Sequence, residues 1–108
     1  MSADKPKWQA ESERRAVDHR ARADEAVPLI LGEAARLGIT CQLFGSYVHG
    51  LLMAHSDVDI MMLDYPDRQA VDALERFAHR LSDETGVEFD LIPGWYLTQE
   101  GRDELLKP

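Results

Sequence analysis

The strongest constraint on this chain is an alternation of two periodicities. Three short β-prone runs, residues 39–44 (ITCQLF), 57–63 (DVDIMML) and 87–92 (VEFDLI), stand apart from one another. Runs of that length bounded by Gly, Pro, Ser or Asp suit strands and are too short for helices. Between and around them, apolar residues recur at helical spacing. Val27, Ile30, Leu31, Ala34 and Leu37 form one stripe that stops at Gly38, and Val71, Leu74, Phe77, Ala78 and Leu81 form another that stops at Thr85-Gly86. Residues 47–53 suit a short helix, 64–67 a turn, and 98–106 a closing helix. The order predicts a small α/β domain with helices covering a short sheet.

At 108 residues, one compact domain is expected. No apolar run approaches the ~18 residues of a membrane span, and the N-terminus lacks a secretory apolar stretch, so a soluble cytoplasmic protein with no membrane contact is expected. The single Cys41 reads as a small core hydrophobe. The charge is unevenly placed. Six basic and six acidic residues cancel up to Val27, whereas from Pro28 on six basic face fourteen acidic, so the whole net charge of −8 lies there. Such a surface repels a bare phosphate backbone, which argues against direct nucleic-acid binding. Any anionic phosphate substrate would need divalent cations as mediators. Residues 1–27, with few apolar anchors, read as a charged helical arm that faces solvent or a partner, and residues 28–108 as the folded domain. Pro28 either kinks that helix or opens a new one.

Three carboxylates occupy predicted strands, where Asp is disfavoured. Asp57 and Asp59 are two apart, so in an extended chain they leave the same face while Val58 and Ile60 leave the other. Asp90, alternating with Phe89 and Leu91, reaches the same spot if the strands are neighbours. Like charges this close raise one another's pKa, and Mg²⁺, which favours hard oxygen ligands and keeps positions open for water and phosphate, relieves the repulsion. Two such ions ~3.5–4 Å apart would clamp the attacking and leaving oxygens of a phosphoryl transfer. Alone, Asp-x-Asp also suits a solvated strand end, and Gly45-Ser46 suits an ordinary turn. Together they describe a metal seat and a phosphate cradle on successive strand ends: Gly admits phosphate close to the backbone, and Ser adds a hydroxyl.

The stretch LFGSYVHGLLMAHSDVDIMML resembles the signature of polymerase-β-like nucleotidyltransferases, specifically the minimal nucleotidyltransferases: Gly-Ser, ten residues, then Asp-x-Asp. VEFDLI resembles the strand that carries the family's third carboxylate, and LTQEGRDELL its closing helix. The resemblance implies a small nucleotidyltransferase fold, α/β (α+β), with a short mixed sheet covered by helices. It implies that Gly45 and Ser46 hold the β and γ phosphates of ATP and that Asp57 and Asp59 ligate Mg²⁺. Asp90 would complete a metal site or help deprotonate the acceptor. Short stand-alone members commonly act as antitoxins that transfer AMP from ATP to a tyrosine of a partner HEPN-type toxin, and that partner is the one implied here.

The chain departs from the family pattern at Tyr47 and His49, where members often carry Arg. His49 either serves the nucleotide by a hydrogen bond or a protonated ring, or is a helix-surface histidine. Tyr47 either packs beside a nucleotide or is a surface aromatic. His55 reads as a loop residue, His19 and His79 fall on predicted helices without a signal, and Trp95 and Tyr96 cap the core or meet a partner. Two rival functions stay open. One is a catalytically weak or inactive protein that neutralises a toxin by binding, and the other is a small-molecule nucleotidyltransferase acting as a homodimer. The acceptor, the nucleotide and the choice between homo- and hetero-oligomer are not legible.

Overall fold

A single helix dominates the molecule. In the computed structural model, which describes residues 6–54 and 56–107, helix α1 runs Lys7–Arg36, 30 residues in length. The first residues of the expected arm and His55 lie outside the described residues. At 1.5 Å per residue such a helix is ~45 Å long. Pro28 lies inside it and ends nothing. The hydrogen bond that proline removes would have reached the carbonyl of Asp24, and both residues are exposed, so solvent can satisfy that carbonyl. The buried residues of α1 are His19, Ala23, Ala26, Val27, Ile30 and Ala34. No break in the helix therefore marks the expected division at Pro28, and α1 enters the core from His19 onward.

After α1 come strands β1 (Thr40–Phe44) and β2 (Val58–Asp64), helix α2 (Arg68–Thr85), strand β3 (Phe89–Pro93), a 3₁₀ turn (Gly94–Tyr96) and helix α3 (Gln99–Leu105). The sheet order is β1-β2-β3; β1 pairs with β2 antiparallel and β2 with β3 parallel, which makes the short mixed α+β sheet expected. The parallel pair requires a crossover, and α2 supplies it. Asp67 caps α2 by accepting from the Ala70 amide at 2.8 Å, and Thr98 caps α3 by accepting from the Gly101 amide at 2.9 Å.

Two local expectations change. Residues 47–50 form turns and 51–53 run irregularly instead of forming a helix, and the turns are closed by the Leu51 amide on the Ser46 carbonyl at 2.9 Å. A short helix needs an apolar face to bury, and here only Leu52 is buried while Val48, Leu51 and Met53 are exposed. The second strand begins at Val58, so Asp57 stands just before it instead of inside it.

Alternation along β2 divides the sheet. Val58, Ile60 and Met62 pack into one cluster with Ala23, Val27 and Ile30 of α1 and Val71, Leu74 and Leu81 of α2. Cys41, Leu43, Phe89 and Leu91 join the edge of that cluster. Cys41 is half-buried, less than expected, and burial still pushes its thiol up to about 11, which leaves it an inert packing residue at neutral pH. Trp95 packs against the core beside Tyr65, ring centroids 4.2 Å apart, whereas Tyr96 is exposed. No helix among the described residues is long and apolar enough to cross a membrane.

Candidate active site

Strand register assembles the site. In the parallel pair Asp59 stands opposite Asp90, and in the antiparallel pair it stands opposite Phe44, the last residue of β1. Asp59 therefore occupies the central strand with a second carboxylate on one side and the Gly45-Ser46 turn leaving the sheet on the other. Gly45 is required twice. Its φ is 79°, and a Cβ at this position would run into Asp59 Oδ2. No other residue type lets the chain turn away this close to the carboxylate.

The electrostatics follow from this arrangement. Asp59 is half-buried, whereas Asp57 and Asp90 are exposed. Burial, then the charge of Asp90, then that of Asp57 raise the Asp59 carboxyl above the usual aspartate value. Asp57 thus lies within electrostatic reach of Asp59 from its place ahead of the strand. The Val58 amide donates to the Glu88 carbonyl at 2.9 Å, which ties this end of β2 to the chain entering β3.

All three acids are hard oxygen donors without an ion-pair partner among the described residues, and that chemistry fits a divalent cation such as Mg²⁺. Among the described residues, however, no three His, Cys, Asp or Glu side chains stand close enough together to hold a metal ion by themselves. The expected set of Asp57, Asp59 and Asp90 is thus neighbouring but not closed. Water and substrate oxygens commonly complete a Mg²⁺ shell.

Of the expected phosphate-binding residues, Gly45 and Ser46 sit at this turn. His49 lies on its exposed outer part, where its amide donates to the Gly45 carbonyl at 3.3 Å. Tyr47 faces α1: its hydroxyl donates to Asp24 Oδ1 at 2.6 Å, and Arg20 lies 4.5 Å over its ring while donating to the same carboxylate at 3.1 Å. The hydrogen bond from Tyr47 is the main cause that holds Asp24 below the usual aspartate value. The far end of the turn region is held as well. His19, 3% exposed, lies with Nε2 at 2.9 Å from the Ser56 carbonyl. A carbonyl only accepts, so Nε2 carries the proton. Neither His19 nor Asp24 stood out in the sequence.

A family model described as a nucleotidyltransferase domain matches residues 28–106, so His19, Arg20 and Asp24 lie upstream of the matched region. No curated protein and no solved structure gave a match to the chain.

Proposed function

The chain belongs to the nucleotidyltransferase domain family, and from that premise we propose that it is a Mg²⁺-dependent protein adenylyltransferase. It moves AMP from ATP to a tyrosine hydroxyl of a cognate HEPN-type toxin and so serves as the antitoxin of the pair. The observation that carries the transfer is Asp59, half-buried, in register with Asp90 and against Gly45. A protein acceptor suits the net charge of −8 from Pro28 on, which disfavours bare nucleic acid. The tyrosine and the toxin rest on the family resemblance.

In this reading Gly45 and Ser46 hold the β and γ phosphates, and His49 lends a hydrogen bond from the outer turn. Asp57 and Asp59 hold Mg²⁺, which when bound neutralises phosphate charge and polarises the α phosphorus. Asp90 completes that seat or receives the tyrosine proton. The tyrosine oxygen bonds to the α phosphorus, the bond from that phosphorus to the bridging oxygen breaks, and pyrophosphate leaves. The bulky phosphodiester then blocks the toxin's own site by size and charge. Residues 1–27 serve as the partner-holding arm, and among the described residues the stretch 6–18 is largely exposed.

The test is transfer of label from ATP labelled at the α phosphate onto the partner in the presence of Mg²⁺. Label arriving only from the γ position would defeat the assignment. One observation favours a second reading, neutralisation by binding alone: Tyr47 stands where members of the resembled family often carry Arg, and its hydroxyl is committed to Asp24. An Asp57→Asn chain that still neutralises the toxin in cells would support that second reading.

A further inference from the structure

We infer that the part of α1 upstream of the matched family region braces the turn region between Gly45 and Asp57, and that His19 is the positioning residue that holds Asp57 in place. The inference rests on the site reading above only in taking Asp57 as a metal ligand.

The segment between β1 and β2 closes its own turns with hydrogen bonds but buries little apolar surface. Val48, Leu51 and Met53 are exposed at 51%, 67% and 62%, and only Leu52 is buried in the core. Segments with so few buried contacts open locally at low free-energy cost. Two polar ties to α1 act against that. At the start, Tyr47 is bonded to Asp24 and covered by Arg20. At the end, the His19 ring donates to the Ser56 carbonyl, the peptide group that joins Ser56 to Asp57.

His19 is the costlier of the two ties to build. An imidazole in the core is unfavourable unless its polar atoms are paired, and an apolar residue would suit the neighbours Ala23 and Ala26 better. Its partner is a backbone carbonyl outside any strand or helix, one residue before the carboxylate that lies off the end of the β2 ladder. Asp59 is fixed by strand pairing on both sides and needs no such support. Asp57 has a strand on one side only, and the peptide group on its other side is the one that His19 holds.

The test uses the full chain with His19→Leu, which fills the site without a donor, and His19→Gln, whose amide can reach the same carbonyl. Tyr47→Phe removes the other tie at an accessible position. In metal-free protein, hydrogen exchange at the Met53 and Ser56 amides should quicken roughly fivefold or more in His19→Leu, the worth of one net hydrogen bond. The amides of α2 should stay unchanged, and His19→Gln should return the segment to near the wild-type rate. Titration with Mn²⁺ followed by electron paramagnetic resonance should show weaker binding in His19→Leu and recovery in His19→Gln.

Wild-type exchange at Met53 and Ser56 in His19→Leu overturns the inference, as does quickening equally spread through α2. If His19→Leu does not fold, His19→Gln and Tyr47→Phe decide. Protection kept in the first, with faster exchange at Leu51 in the second, upholds the brace, and a wild-type rate at Leu51 in Tyr47→Phe overturns it. Wild-type chain that binds no Mn²⁺ would defeat the metal reading of the acids, while the exchange comparison still decides the brace.

Discussion

The two faces of the sheet are built from the same strands and do opposite things. On one face Val58, Ile60 and Met62 are at most 1% exposed and lie beneath α1 and α2. One residue away, Asp59 projects to the other face opposite Asp90, with its carboxyl raised by burial and by two like charges. Strand periodicity of two makes this division possible, because adjacent residues never compete for the same environment. The covered face supplies stability, and the acid face carries an unfavourable arrangement that the covered face offsets. Removing charge from the acid face and removing carbon from the core face should therefore have opposite signatures.

The largest effect expected is on activity. Asp57→Asn or Asp59→Asn should lower nucleotidyl transfer by roughly a thousandfold, about 4 kcal/mol in the barrier, with circular dichroism unchanged. Transfer within tenfold of wild type would assign these acids to the fold and erase the contrast between faces. Next, Ile60→Ala on the covered face should cost about 3 kcal/mol in urea unfolding, since a fully buried aliphatic side chain leaves a cavity. A loss below ~1 kcal/mol would mean that the core lies elsewhere. Gly45→Ala touches the seam between the faces and should cost about 2 kcal/mol from its left-handed backbone and its contact with Asp59. Asp59→Ala in the same chain removes the colliding carboxylate and should recover the collision part but none of the backbone part, which separates strain from collision.

The smallest effect concerns pH. Burial and the like charges of Asp90 and Asp57 raise the Asp59 carboxyl above its ordinary value of 3.8, so the folded chain binds a proton there more tightly than the unfolded chain does. Metal-free stability contributed by this group is thus full below that value and falls as pH rises through the folded pKa. At neutral pH, Asp59→Asn should raise the metal-free Tm by ~2–4 °C, for ~0.5 kcal/mol of relieved charge. Mg²⁺ should raise the Tm of wild type and not of Asp59→Asn, and a Tm drop in the metal-free variant would reverse the sign argued here.

Which of these features the amino-acid sequence reveals depends on whether their cause is local. The strand runs and the α2 stripe are legible because burial of one face imposes a period. Gly45-Ser46 and Asp57-x-Asp59 are noticeable because phosphate and cation chemistry needs particular residue types at a set spacing. The direct register of Asp59 with Asp90 is not legible, since it follows from how α2 returns the chain parallel to β2. Residues 47–53 mislead because their apolar count suits a helix while the fold buries Leu52 alone. Pro28 leaves a kink and a new helix equally open in the sequence, and its place inside α1 depends on whether the carbonyl one turn back reaches solvent. His19 is the hardest to find: its partner is the backbone of Ser56, and a main-chain carbonyl has the same sequence signature everywhere.

The parallel register of β2 with β3 also has a consequence for biosynthesis. Domains form largely as the chain emerges, N-terminal part first, at ~5–20 residues per second. The Gly45 turn, Asp57 and Asp59 therefore leave the ribosome before α2 and β3, and a nascent chain holding the first two strands has no Asp90 across from Asp59. The unfavourable meeting of those two acids is postponed to the last long-range pairing of the sheet. Nascent chains interrupted within α2 should therefore be inert toward nucleotide, and the finished protein should acquire its chemistry in one step, when β3 docks.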